Sequence, residues 1–370
     1  LFFLHFHFAP QHVLAMRKIL VVAMAGIGDT LLATPLIHEL RHQLPHAQID
    51  VVVMWPDARD FLQTNPHIST LHYQHLITAG PAANVKFLRA LSRAGYDVSI
   101  NAYPQSRIPY RVVARLVNAP IRISHIYDNV SVLDRLLVNR TLPQDYNLHV
   151  VENNLNLLQL IGLKPVLPEH DTEIYFTDDE LKWADSQASS GQKTLGIHVG
   201  SGKTKNLRFK RWPIENYVAL IPRLIAADPA LRILLFGGPQ EADDHERIMR
   251  EAKSDRVSLA PSKSLRQAAA LIRKCQMFLS VDSALMHLAA AAKVPRQFVI
   301  ESPAFNHTGV PYRQKHTLIR NPIVNGRNLD YYRYDGKGIK GTDDELLRCM
   351  QSITVDKVFE AITAAPNTPA

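Results

Sequence analysis

Residues 18–55 read KILVVAMAGIGDTLLATPLIHELRHQLPHAQIDVVVMW. KILVVAM is a continuous apolar run closed by the glycine-containing AGIGD, the pattern of a parallel strand buried on both faces. In TLLATPLIHELRHQL, Leu32, Leu36, Leu40 and Leu44 fall on one side of a helix. Pro35 is tolerated there only within the first turn, where its missing N–H is not needed. IDVVVMW reads as a second buried strand, so residues 17–55 predict a βαβ unit. Further strand and helix signals follow at YDVSI, RVVARLV and HVVENNLNLLQLIG.

KPVLPEHDTEIYF, rich in proline and charge, reads as an interdomain linker. TDDELKWADSQAS then opens a helix with a capping box from Thr177 to Glu180. The alternation restarts with the strand TLGIHVG, the helix WPIENYVALIPRLIA, the strand RILLFGG, the helix SLRQAAALIRKC and the strand QMFLSVD, which runs into SALMHLAAAAKV. The expectation is an α/β chain of two facing Rossmann-like, doubly wound domains with ligands in an interdomain cleft. The domains are expected at residues 16–165 and 191–345. A linker and helix over 166–190 joins them, and a helix and tail over 346–370 follows.

The bulk numbers agree with that class and exclude others. The chain has 370 residues, more than one hydrophobic core usually serves, with 46% hydrophobic and 21% charged residues. No apolar run approaches the length of a membrane-spanning helix. The two cysteines, Cys275 and Cys349, lie far apart, which argues for a reducing compartment and against a disulfide framework or structural zinc site. A net charge of +8 suits an anionic partner or simple solubility. No nucleic-acid-reading signature accompanies it. Residues 1–15, LFFLHFHFAPQHVLA, lack the basic start of a secretory signal; a disordered extension ahead of Met16 is expected there.

Three turns at strand ends carry candidate chemistry. AGIGD lacks the third glycine of a dinucleotide loop, since Leu31 stands in its place, and no acidic residue ends the second strand, so a nicotinamide cofactor is not expected. Asp29 is then either a helix-capping carboxylate or a base facing the cleft. In SVDSALMHL, Asp282 and Ser283 open an alanine-rich helix whose first amides, at Ser283, Ala284 and Leu285, could receive a diphosphate; a merely capped helix with His287 in the core is the other reading. The loop HVGSGKTKNLRFKRWP places Ser201, Lys203, Lys205, Arg208, Lys210 and Arg211 after a strand, either as phosphate contacts or as a solvated basic loop. It is not a P-loop, because its glycine and lysine spacing is wrong. Gly237, Gly238, Pro239 and Glu241 form a further turn that could meet a nucleoside. Arg107, Arg111 and Arg115 recur every fourth residue and predict a cationic helix face toward acceptor phosphates or an anionic membrane, or else a solvated face. No Asp-x-Asp pair occurs, so no metal is expected on a diphosphate, and leaving-group charge would fall to Lys, Arg and helix amides.

Taken in order, these pieces resemble glycosyltransferase family 9, the ADP-heptose:lipopolysaccharide heptosyltransferases, over Arg17 to about Ile362. The resemblance implies a GT-B architecture and an inverting, metal-independent transfer of heptose or a related sugar from an ADP-sugar to an anionic glycolipid such as lipopolysaccharide core. KILVVAMAGIGDTLLATPLIHELR is similar to the family's opening, which makes Asp29 the implied catalytic base beside Gly28 in the acceptor site. FKRWP is similar to its K-x-W-P element and assigns Lys210 to the donor phosphates. SVDSALMHL resembles its S-x-D-[ST]-G-x-x-H element, assigning Asp282, Ser283 and His287 to the diphosphate, with Ala284 in place of the usual glycine. FGGPQE resembles its nucleoside segment and makes Glu241 a ribose ligand. VIESPAFNHTGVPY departs from the family pattern at Glu301 and Asn306. A cytoplasmic enzyme, peripheral on the inner membrane and without a cofactor, is implied. Two other classes share this architecture: a nucleotide-sugar epimerase or phosphorylase, which would need no acceptor, and a non-catalytic nucleotide-sugar-binding protein, which would show no turnover.

Overall fold

The structure, a computed structural model, describes residues 16–104, 108–127, 132–188, 191–202, 204–324 and 338–365. The amino-terminal stretch 1–15, Arg107 and Lys203 lie outside them, as does the side chain of Lys205. The chain divides into two compact units, Leu1–Tyr175 and Phe176–Ala370.

In the first unit β1 (Lys18–Val22), β2 (Gln48–Val53), β3 (Thr70–Tyr73), β4 (Val98–Asn101), β5 (Ile121–Ile126) and β6 (Arg140–Pro143) form one sheet, ordered β3-β2-β1-β4-β5-β6, with every pair parallel. In the second, β7 (Lys193–His198), β8 (Leu231–Phe236), β9 (Val257–Leu259), β10 (Met277–Val281), β11 (Arg296–Ile300) and β12 (His316–Ile319) form a parallel sheet ordered β12-β11-β10-β7-β8-β9. Counted from the first strand of each unit, both orders read 3-2-1-4-5-6, the doubly wound Rossmann order. Each reverses beside its first strand, between β1 and β4 and between β7 and β10. Ligands of such sheets bind outside the carboxyl ends of the strands at that point.

β1 is apolar beyond Lys18 because helices cover both faces: Ile19, Leu20, Val21 and Val22 are wholly buried. The helical stretch after β1 differs from its prediction as one element. A five-residue helix, Ile27–Leu31, ends before a second begins at Thr34–Gln43 with Pro35 in its first turn. Proline cannot donate to a preceding turn and its ring crowds the carbonyl there, so the chain restarts rather than continues. The leucine face is as expected, with Leu32, Leu36, Leu40 and Leu44 all buried.

Glu39, on the same helix, is also fully buried. It anchors the proline-rich stretch by accepting bonds from the Val166 and Leu167 amides and His170 Nε2 at 2.9, 3.1 and 2.8 Å. Burial opposes its charge, but these bonds outweigh burial and hold its pKa below the ordinary carboxylate value. The stretch 166–175 is thereby built into the first unit. The helix Asp178–Gln187 belongs to the second, where its capping-box residue Glu180 also pairs with buried Arg266.

The helix Ile108–Val117 corrects the expectation of a cationic outer face. Arg111 is 1% exposed; it donates to the His125 carbonyl at 3.0 Å and lies over the Tyr127 ring. The outward row is apolar instead: Ile108, Val112 and Leu116 are exposed, with Arg115 beside them. Val132 and Leu136 on the neighbouring helix Val132–Leu137 are exposed as well. Spacing alone assigned these arginines one face without deciding which way it turned.

Candidate active site

At the carboxyl end of β1 the chain passes through Ala23–Gly26 into the short helix. Asp29 occupies its third position and is half-buried, with Oδ2 accepting from the Gly26 amide at 3.1 Å. Thr30 Oγ1 donates to the carbonyls of Ala23 and Gly26, at 3.2 and 3.0 Å, which closes the turn. The capping role foreseen for Asp29 is therefore real, and it fixes the carboxylate at the strand end. A carboxylate offers about four lone-pair sites, so an amide bond to one oxygen is compatible with proton abstraction.

In the second unit four segments converge at the β7–β10 switch point. Lys210 Nζ contacts Asp282 Oδ2 at 2.5 Å, with both side chains largely buried at 13% and 17% exposure. Ser283 precedes the helix Ala284–Ala291 but does not cap it; its hydroxyl lies 3.1 Å from His198 Nδ1 instead. The first-turn amides of that helix therefore carry no bond from its N-cap side chain, leaving a helix terminus suited to anions. Burial, reinforced by Arg211 and His245, pushes His198 down to about 3, so it is neutral at physiological pH. His287 is buried on the same helix, one turn from Ser283. Ser201 Oγ donates to the Leu207 carbonyl at 2.8 Å and braces the basic loop.

Glu241 is buried at the end of the turn after β8. Its Oε1 receives Arg211 at 2.5 Å and its Oε2 the Gly238 amide at 3.0 Å; Arg211 also reaches Asp244 at 3.1 Å. Gly200, at the end of β7, is what allows this arrangement. A Cβ there would stand 2.6 Å from Glu241 Oε1 and 2.8 Å from His198 Nε2, too close for any side chain. Arg211 entered the sequence reading only as one cation of the basic loop, and His198 and Gly200 were not singled out. The glycine directly after a buried strand was the available signal, but its neighbour Glu241 lies far along the chain.

The departures at Glu301 and Asn306 serve the backbone. Fully buried Glu301 accepts from the Asn321 amide at 2.6 Å and so ties β11 to the segment after β12. Asn306 caps the turn at Thr308, accepting from its amide at 3.1 Å and its hydroxyl at 2.8 Å.

The model of glycosyltransferase family 9 (heptosyltransferase) matches residues 84–332. The chain belongs to that family. It is a glycosyltransferase, and relatives along its length agree. Lipopolysaccharide heptosyltransferase 3 of Escherichia coli K12 is 27% identical, over 72% of this chain and 78% of the relative. Lipopolysaccharide heptosyltransferase 2 of the same strain is 25% identical, over 94% of this chain and 98% of the relative. The crystal structure of the E. coli heptosyltransferase WaaC with ADP-2-deoxy-2-fluoro heptose superposes with a TM-score of 0.68 at 21% identity, covering 93% of this chain and 98% of that one. The fold of the glycosyltransferase is thus the GT-B type of heptosyltransferases.

Proposed function

We propose that this glycosyltransferase moves a heptose from ADP-heptose to lipopolysaccharide core, or a similar anionic glycolipid, by a single inverting displacement. The observation that carries the reading is the β7–β10 switch point, where an uncapped helix terminus, the Lys210–Asp282 pair and the Glu241–Arg211 pair stand together. Relatives named for lipopolysaccharide heptosyl transfer, and a neighbour holding an ADP-heptose analogue, supply the substrate class.

In this reading Asp29 removes the proton from the acceptor hydroxyl as its oxygen attacks the anomeric carbon, with the Gly28 turn lining the acceptor side. The bond to the donor phosphate breaks as the new glycosidic bond forms, and ADP leaves. Lys210 has three N–H donors and Asp282 takes one, so two remain for phosphate oxygens. The Ser283, Ala284 and Leu285 amides add helix-terminus stabilisation, with Ser201 and His287 flanking. Glu241 retains acceptor capacity on both oxygens for ribose hydroxyls. The leaving group is neutralised without a metal.

Thermal melts test the donor assignment. ADP at one hundred times its Kd should add about 2.7 kcal/mol of stability, and UDP, GDP and CMP much less at equal concentration. Equal or greater stabilisation by UDP would contradict the reading.

The acceptor's lipid suggests where the enzyme works. No helix among the described residues is long and apolar enough to cross a membrane. The exposed row Ile108, Val112 and Leu116, with Val132 and Leu136 beside it and Arg115 at its edge, is suited to rest in the headgroup region of an anionic leaflet. In this reading the enzyme is cytoplasmic and peripheral. Flotation with anionic vesicles should carry the protein, and Leu116→Glu should release it while leaving ADP binding intact. A wild-type protein that stays in the soluble fraction would remove this part of the proposal.

A further inference from the structure

Away from these sites, three side chains from distant parts of the first unit meet at one point. His38 is on the helix Thr34–Gln43, His67 in the loop before β3, and Glu173 in the last extended stretch, whose amide donates to Thr34 Oγ1 at 3.0 Å. His38 Nδ1 lies 2.8 Å from Glu173 Oε1 and His67 Nε2 lies 3.8 Å from Glu173 Oε2. One ligand atom from each of the three falls within 4.8 Å of the others. A tetrahedral zinc ion holds such atoms at about 2.0–2.2 Å, which sets them about 3.4 Å from one another. The two observed separations run to different oxygens of Glu173, and they bring both imidazoles within a small rearrangement of that spacing.

We propose that His38, His67 and Glu173 form a binding site for a first-row transition dication, which ties the end of the first unit to the helix and loop beneath it. Two imidazoles and one carboxylate suit zinc, iron(II), cobalt(II) or nickel(II), whereas magnesium and calcium prefer all-oxygen sets. Side-chain exposures of 30%, 17% and 21% leave one side of the cluster open for water as a further ligand. Without an ion the Tyr175 hydroxyl donates to Glu173 Oε2 at 3.0 Å and lies 2.7 Å from His67 Nε2, a contact that ion binding through Nε2 replaces. The two imidazoles are stacked, with centroids 3.9 Å apart and planes 13° apart. Their in-plane lone pairs therefore run nearly parallel. Binding turns one ring toward the other's ligand atom, and the more exposed His38 has the room. Without an ion the same groups remain a His–Glu–Tyr hydrogen-bond network, and the experiment separates the two.

The full chain, stripped with EDTA, is titrated with Zn²⁺ at pH 7.5 beside His38→Ala and Glu173→Gln. Residues 1–15 carry His5, His7 and His12, so the wild-type titration is read only against the variants, which share them. One equivalent is expected to bind wild type and to weaken at least about tenfold in each variant, a loss already typical of residues that only orient a ligand. Identical titrations of all three proteins, or no binding by wild type, would overturn the site. X-ray absorption of wild type with one equivalent of Zn²⁺ decides even if a variant fails to fold. Two imidazoles with oxygen ligands support the assignment; sulfur, or three or more imidazoles, overturns it.

Discussion

Asp29→Asn should lower kcat by about 10²–10⁴-fold, the usual worth of a positioned general base, and leave ADP binding essentially unchanged. The substitution is clean because of what Asp29 does locally. Its Oδ2 accepts the Gly26 amide at 3.1 Å, and an asparagine carbonyl can accept the same bond. The short helix therefore keeps its cap while the group loses its basicity. Asp29→Ala removes both functions and should in addition cost about 1 kcal/mol of stability. Steady-state kinetics with ADP-heptose and a heptose-deficient core acceptor, set beside melting curves with and without ADP, reads the two effects separately. An Asp29→Asn enzyme with near-normal turnover would leave the carboxylate as a cap alone and send the search for a base elsewhere.

Lys210→Ala should act on binding and rate together. A phosphate contact is made in the ground state and strengthens as negative charge develops on the departing diphosphate, so KM for donor should rise and kcat fall. A combined loss in kcat/KM of about 10²–10³-fold is expected from removing one such donor. Part of that loss is indirect. Asp282, only 17% exposed, loses the cation now in contact with it, and its carboxylate then repels the phosphates that should bind alongside. Lys210→Ala combined with Asp282→Asn should recover part of the donor affinity but little of the rate. Unchanged kinetics in the single variant would mean that the lysine serves only its carboxylate.

The parts of the fold that sequence revealed are those where burial is complete. β1, β7, β8 and β10 read as strands because helices cover both faces and most positions are apolar. β3, β6, β9 and β12 are three or four residues long, partly exposed and at or near sheet margins, and they carry no comparable pattern. The Pro35 restart was legible as a condition on where a helix could begin, but not as a second helix. Arg111 shows the limit of periodicity most clearly: a four-residue repeat suggests one shared face, but packing turns Arg111 inward to His125 and Tyr127 while Arg115 stays outside with Val112 and Leu116.

The same division holds at the sites. Asp29, Asp282 and Ser283 follow strand ends, where local sequence announces a turn, and Lys210 closes the basic loop after β7. The partners that fix them are long-range. Arg211 meets Glu241, and His198 meets Ser283 across 85 positions. No motif joins positions 38, 67 and 173, so the absence of metal-ligand spacing in the sequence carried no information about the cluster that tertiary folding assembles.

The most direct test is a transfer reaction with the purified wild-type chain, ADP-heptose and a heptose-deficient lipopolysaccharide core, followed by NMR of the product and by assay of free ADP. One ADP released per heptose attached, with the anomeric configuration of the new linkage opposite to that of the donor, is the predicted result. Retained configuration, donor consumed without acceptor, or transfer only from a different nucleotide sugar would contradict the account.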